Sequence, residues 1–248
     1  MASKRAPIGL PLFSLLAVLG LSWLSPEASP EGLDLPIGGP VAVEKDPPPP
    51  VEEEESPQFY DEEIPAESDS VIYVVDRSSS MSLPACPFVG PDGEVVQDAT
   101  RLDYVKAELR RSILSLPESF TFNIVVFSEC VICWKPSRMR ASTEMKQAAI
   151  AWLSAITPWG WTNTGGATSR ALADHGNKAV LLLSDGAPNF LDCAQTYIGD
   201  FETHRRVIRE SNTQQAVIHT FGIGLDSETR QFMLEVAREN RGTFREID

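Results

Sequence analysis

The sequence predicts an α/β domain: a mostly parallel sheet with helices on both faces. Three observations lead there. Residues 71–76 (Val-Ile-Tyr-Val-Val-Asp) and 179–183 are short, uninterrupted apolar runs, the pattern of strands buried on both faces. Stretches with apolar residues at helical spacing alternate with such runs, as βαβ units require. The roughly 180 residues from 71 onward can bury a sizeable core without a covalent staple.

The elements follow in chain order. Residues 71–76 form the first strand and end in a carboxylate. Residues 101–116 place Leu102, Val105, Leu109, Ile113 and Leu116 on one helical face. Residues 120–127 read as a strand, with residues 131–134 as a hairpin partner. Residues 143–156 read as a helix capped by Ser142 or Thr143. Residues 179–183 are the second wholly apolar strand. Residues 200–210 read as a helix, 216–223 as a strand, 228–239 as a helix and 242–247 as a last short strand.

What precedes residue 71 differs in kind. Residues 1–24 carry Lys4 and Arg5, no acid, and an uncharged apolar run over 6–24. This reads as an export signal, either a cleaved signal peptide or an uncleaved membrane anchor. Positive charge before the run and negative charge after it orient the remainder outside the cytoplasm. Residues 25–70 hold fourteen acids, one lysine and ten prolines, including Pro47 to Pro50. Such a composition predicts a disordered, extended linker. Of the chain's formal charge of −14, the linker supplies −13 and residues 1–24 supply +2, so residues 71–248 carry only −3. No basic patch points to nucleic acid.

The chemistry gathers at two strand ends. Asp76-Arg77-Ser78-Ser79-Ser80 ends the first strand, and Asp185-Gly186 follows the strand of residues 179–183 after Ser184. Ligands of open parallel sheets bind beyond the carboxyl ends of strands. Two carboxylates with the hydroxyls of Ser78 and Ser80 form an oxygen-only set, which selects a hard cation such as Mg²⁺ or Ca²⁺.

These residues resemble the von Willebrand factor type A family with its metal-ion-dependent adhesion site, of the bacterial exported or membrane-anchored type. That family carries Asp-x-Ser-x-Ser after its first strand, a Thr in a Gly/Thr-rich loop and an Asp after its fourth strand. Asp76, Ser78 and Ser80, then Thr162 in Gly160-Trp161-Thr162-Asn163-Thr164-Gly165, then Asp185, match in that order. Residues 220–224 and 237–244 also resemble the family's end. The resemblance implies a Rossmann-like six-stranded sheet in the order 3-2-1-4-5-6, its third strand antiparallel at one edge. It implies that Ser78, Ser80 and Thr162 bind Mg²⁺ (or Mn²⁺ or Ca²⁺) directly, with Asp76 and Asp185 at or near the metal, often through water. Two departures stand out: Ser79 where the family often has Gly, and Gly160-Trp161 where it often has Gly-Gly. The second puts Trp159 and Trp161 beside the site, either packed beneath the loop or exposed as partner-binding anchors.

Other chemistry finds less support. An aspartyl phosphotransferase of the haloacid dehalogenase type would want a second Asp where Ser78 stands. His175, His204 and His219 lack metal-ligand spacing, and His219 reads as structural. Cys86, Cys130, Cys133 and Cys193 are an even number in an exported chain, and three pairings are possible. Cys86 with Cys193 is the expected pairing, both lying in loops at one edge of the sheet, together with Cys130 and Cys133.

The expectation is therefore a non-enzymatic, extracytoplasmic binding domain over residues 71–248. It would capture an Asp or Glu carboxylate of a protein ligand through its metal. It would be secreted, or held to a membrane by residues 6–24. The alternatives are a metal-stabilised scaffold of a surface assembly and a metal-dependent hydrolase.

Overall fold

The computed structural model describes residues 57–60, 62–64 and 68–247. Its elements are β1 (Gln58–Phe59), β2 (Glu62–Glu63), β3 (Ser70–Asp76), β4 (Phe88–Val89), β5 (Val95–Val96), α1 (Arg101–Ser115), β6 (Thr121–Phe127), β7 (Val131–Cys133) and β8 (Met139–Arg140). Then come α2 (Thr143–Ser154), α3 (Thr164–Leu172), β9 (Ala179–Ser184), α4 (Phe201–Ser211), β10 (Val217–Ile223), α5 (Ser227–Glu239) and β11 (Phe244–Ile247).

The main sheet runs β11-β10-β9-β3-β6-β7, with β8 pairing on β6 as a seventh strand. Numbering β3, β6, β7, β9, β10 and β11 one to six gives the expected order 3-2-1-4-5-6. All neighbours are parallel except β7 and β8, which run antiparallel to β6. β3 is central, and every residue from Ser70 to Asp76 is buried. Its alternating side chains feed two cores, since successive residues of a strand face opposite ways. Val71, Tyr73 and Val75 pack toward α1 and α2, and Ile72 and Val74 pack toward α3, α4 and α5. The Tyr73 hydroxyl keeps a buried partner, Ser112 Oγ at 2.8 Å.

Local chemistry starts the helices. Thr100 and Asp103 form a reciprocal capping box at α1. The side chains of Ser142, Asp200 and Asp226 each accept a backbone N–H at the N-termini of α2, α4 and α5. The sequence signals for α3 are weaker because Gly165 and Gly166 fall in its first turn; Asn163 starts it by accepting the Gly166 N–H. The small hairpin of β4 and β5 lies in the insertion after the serine-rich turn and was not expected.

The expected linker boundary is corrected. The domain starts before residue 71, because β1 and β2 form a tight hairpin on it. Phe59, Tyr60 and Ile64 are buried in the core beneath α1. Phe59 stacks edge-on against Phe221 at 4.8 Å and Tyr73 at 5.7 Å, and the Tyr60 N–H donates to Glu108 Oε1 at 2.7 Å. The acids around this hairpin dominate the segment's composition and hide three large apolar side chains. Residues 25–56, 61 and 65–67 of the expected linker and the apolar run of residues 6–24 lie outside the described residues. Among those described, no helix is long and apolar enough to cross a membrane.

Candidate metal and partner-binding site

The pairing of β3 with β9 sets Val75 beside Leu183, so both strands end level at the same edge. Asp76, the last residue of β3, is fully buried. Its Oδ1 accepts the Ser78 N–H at 2.7 Å, which folds the turn, and its Oδ2 accepts the Ser184 hydroxyl from the end of β9. Burial, reinforced by the nearby Asp185 carboxylate, pushes Asp76 up to about 7, despite the hydrogen bonds from Ser184 and Ser78. A cation at this edge would relieve both effects.

The hydroxyls complete the cluster. Ser78 Oγ lies 3.1 Å from Ser80 Oγ, and Ser80 Oγ donates to Asp185 Oδ1 at 2.7 Å. Gly186 reports where Thr162 stands: a Cβ there would lie 3.4 Å from Ser80 Oγ and 3.8 Å from Thr162 Oγ1. The loop bearing Thr162 is fastened to the serine turn, with the Trp159 N–H donating to Arg77 O at 2.7 Å and the Ser79 N–H to Gly160 O at 2.9 Å. The five expected residues thus meet at one edge. Their donor set, hydroxyls and carboxylates only, fits a hard divalent cation.

Three neighbours were missed. Arg101, the first residue of α1, places Nη1 2.8 Å from Asp185 Oδ2, and the Asp185 side chain is fully buried. Ser184 is the hydroxyl that reaches Asp76. Glu129, in the β6–β7 turn, is buried and accepts the Trp161 N–H at 2.8 Å. Arg101 and Glu129 become neighbours only through sheet pairing, and no local spacing marks them. Ser184 could have been found, as the strand residue opposite Asp76.

Trp159 and Trp161 are 58% and 53% exposed, so neither is packed beneath the loop. His219 is structural, as expected: its Nδ1 lies 2.8 Å from Thr243 Oγ1.

The expected disulfides are corrected. The bond joins Cys130 to Cys193 with Cα atoms 4.4 Å apart, and Cys86 and Cys133 are free thiols. Cys130 and Cys133 are three residues apart along extended chain, which sets their Cα atoms about 10 Å apart, beyond disulfide reach. Cys86 belongs to the insertion that lies over α1 and α2, whereas the loop of Cys193 packs Leu191 beside Gly165 and His204 on the other face.

A mostly parallel sheet in the order 3-2-1-4-5-6, with helices on both faces, defines a Rossmann-like α/β domain. The family model described as the von Willebrand factor type A domain matches residues 92–245, and the chain belongs to that family. The matched stretch begins after the Asp76–Ser80 turn. The chain is 29% identical over 201 residues to inter-alpha-trypsin inhibitor heavy chain 4 of Mus musculus, covering 76% of this chain and 19% of that protein. It is 27% identical over 195 residues to the heavy chain H4 of Homo sapiens, covering 72% and 18%. It therefore spans less than a fifth of the length of these relatives. Similar solved structures include the pilus adhesin SpaC of Lactobacillus rhamnosus GG, with TM-score 0.55, 17% identity, and 72% of this chain and 28% of that one covered. The von Willebrand factor domain of the pili tip protein Mfa5 of Porphyromonas gingivalis gives TM-score 0.54, 13% identity, and 71% and 89% coverage.

Proposed function

We propose that this domain is a non-enzymatic interaction module that captures an Asp or Glu side chain of a protein partner through Mg²⁺, or Mn²⁺ or Ca²⁺ in its place. One observation carries the reading: adjacent strand ends bring two carboxylates and three hydroxyls into a single oxygen-only cluster. Ser78, Ser80 and Thr162 would hold the cation directly, with Asp76 and Asp185 at or near it. The cation would supply an open coordination position for an anionic oxygen. Arg101 offsets one of the two carboxylates, so a bound divalent cation leaves the site net positive and favours an acidic ligand. Among the described residues, the partners of the two Asp carboxylates are hydroxyls, one backbone N–H and Arg101, with no histidine or cysteine that could act as base or nucleophile in hydrolysis.

The Cys130–Cys193 disulfide supports a place outside the cytoplasm, where such bonds persist. Secretion or membrane attachment through residues 6–24 belongs to the same proposal.

Calorimetric titration with Mg²⁺ tests the site. The wild-type chain should bind one cation, and Asp76→Ala should lose that binding while keeping its circular dichroism spectrum. Unchanged affinity in the variant rejects the assignment. Partner capture is then read as binding of Asp-containing peptides that chelator abolishes.

A further inference from the structure

Beside the metal-site residues lies a cavity of about 360 Å³ lined by Ser79, Glu129, Trp159, Gly160, Trp161 and Gln195. We propose that it is a second recognition pocket, which takes a lysine or arginine side chain of the partner between the exposed indoles and the Glu129 carboxylate. This rests on the reading of the domain as a protein-binding module and extends it. The partner would present an acidic and a basic residue as near neighbours, one for the cation and one for this pocket.

The walls and the floor point to a cation. Trp159 and Trp161 are more than half exposed, unusual for two large aromatic side chains two residues apart. Indole faces attract ammonium and guanidinium groups. Glu129 is only 2% exposed, yet it lines the cavity. Its carboxylate accepts from the Trp161 N–H at 2.8 Å and Gln195 Nε2 at 3.3 Å, both neutral donors. Among the described residues, none of the ion pairs involves Glu129. Burial pushes its carboxyl up, but hydrogen bonds from backbone N–H groups and from Gln195 outweigh that and hold it below the usual range, so it stays ionised. A buried carboxylate held only by neutral donors lacks a countercharge, which an apolar ligand would not supply. A basic side chain supplies it while its alkyl stem covers the indoles.

The pocket is also held in shape. Gly160 adopts φ +83°, and a Cβ there would fall 1.9 Å from Glu129 Oε2, so the loop closes over the carboxylate only with glycine. Trp161 rests edge-on against Phe190 at 5.8 Å. The Cys130–Cys193 disulfide ties the turn carrying Glu129 to the loop carrying Gln195. Ser79 stands between Ser78 and Ser80 and lines this cavity, so the two pockets share a wall.

The test reads the pocket without the metal. In EDTA, the full chain is titrated with n-butylammonium or 1-butanol, and the indole N–H resonances of Trp159 and Trp161 are followed by NMR. Butylammonium should bind about tenfold more tightly than butanol, the ratio expected of a partly desolvated cation–aromatic contact with an added ion pair. Glu129→Gln keeps an acceptor for the Trp161 N–H and should bring the two probes level. Trp159→Leu, at an exposed position, should weaken butylammonium binding as read at Trp161. Equal response to both probes in the wild-type chain, or an undiminished preference in both variants, overturns the proposal. Because no metal is present, failure of the cation site leaves this result unaffected; Asp76→Ala should keep the butylammonium preference.

Discussion

Arg101 Nη1 meets Asp185 Oδ2 at 2.8 Å, while the other oxygen of the same carboxylate accepts the Ser80 hydroxyl. One buried carboxylate is thus shared between a fixed cation from α1 and the hydroxyl cluster proposed to hold a metal. Gly224, at φ +59°, leaves the room this needs, since a Cβ there would lie 2.1 Å from Arg101 Nη2.

Removing Arg101 should expose the dependence of Asp185 on positive charge. Arg101→Gln leaves a buried carboxylate without its ion-pair partner, a loss of about 3 kcal/mol. A divalent cation in the adjacent cluster would restore part of that charge balance. The variant's melting temperature in EDTA should therefore fall, and its rise on adding Mg²⁺ should exceed that of the wild type. An equal Mg²⁺ shift in the two proteins would separate Arg101 from the site.

Thiol counting checks the corrected disulfide. Denatured, unreduced protein should label at two cysteines, Cys86 and Cys133, and reduced protein at four. In the native state Cys86 should label first, being exposed. Closing a loop of 63 residues constrains the unfolded chain, so Cys193→Ser should cost about 4 kcal/mol in a denaturant titration. Zero or four labelled thiols before reduction would contradict the pairing.

Stability should depend on pH through His204. This side chain is fully buried; its Nδ1 accepts the Gly165 N–H at 2.9 Å, and its Nε2 has no hydrogen-bond partner. Burial lowers its pKa from 6.5 to about 4, against a weaker opposing pull from Asp200. The unfolded chain therefore takes up this proton first as pH falls. The contribution is complete above pH 6.5, is lost between 6.5 and 4, and flattens below, amounting to at most about 3 kcal/mol. Urea midpoints at pH 7.5, 6 and 5 should fall less steeply in His204→Gln than in the wild type. Parallel slopes would show that His204 is not the group responsible.

The hairpin of β1 and β2 should be needed for full stability. Phe59 is 1% exposed among Tyr60, Tyr73 and Phe221. Phe59→Ala should cost about 3–5 kcal/mol, the range for a buried phenylalanine. A chain shortened to begin at residue 71 should melt well below one beginning at residue 52. Equal melting temperatures would return this segment to the linker.

The sequence by itself determined the elements whose information is local. The wholly apolar runs at 71–75 and 179–183, the helical face of Leu102, Val105, Leu109 and Ile113, and the cap at Ser142 each specify a strand, a helix or a start within a few residues. The Asp76–Ser80 turn and Asp185 were legible too, because the ends of adjacent buried strands must share an edge. Tertiary structure alone decided which distant groups meet. Phe59 was lost among acids because a composition average weighs charge and cannot see a single pocket in α1's face. Four cysteines allow several pairings, and only the placement of the insertion over α1 and of the Cys193 loop over α3 and α4 selects Cys130 with Cys193. Arg101 and Glu129 are ordinary surface residue types; their roles depend on burial beside Asp185 and Trp161, 84 and 32 residues away, and no pattern of neighbours along the chain encodes a contact made across the sheet.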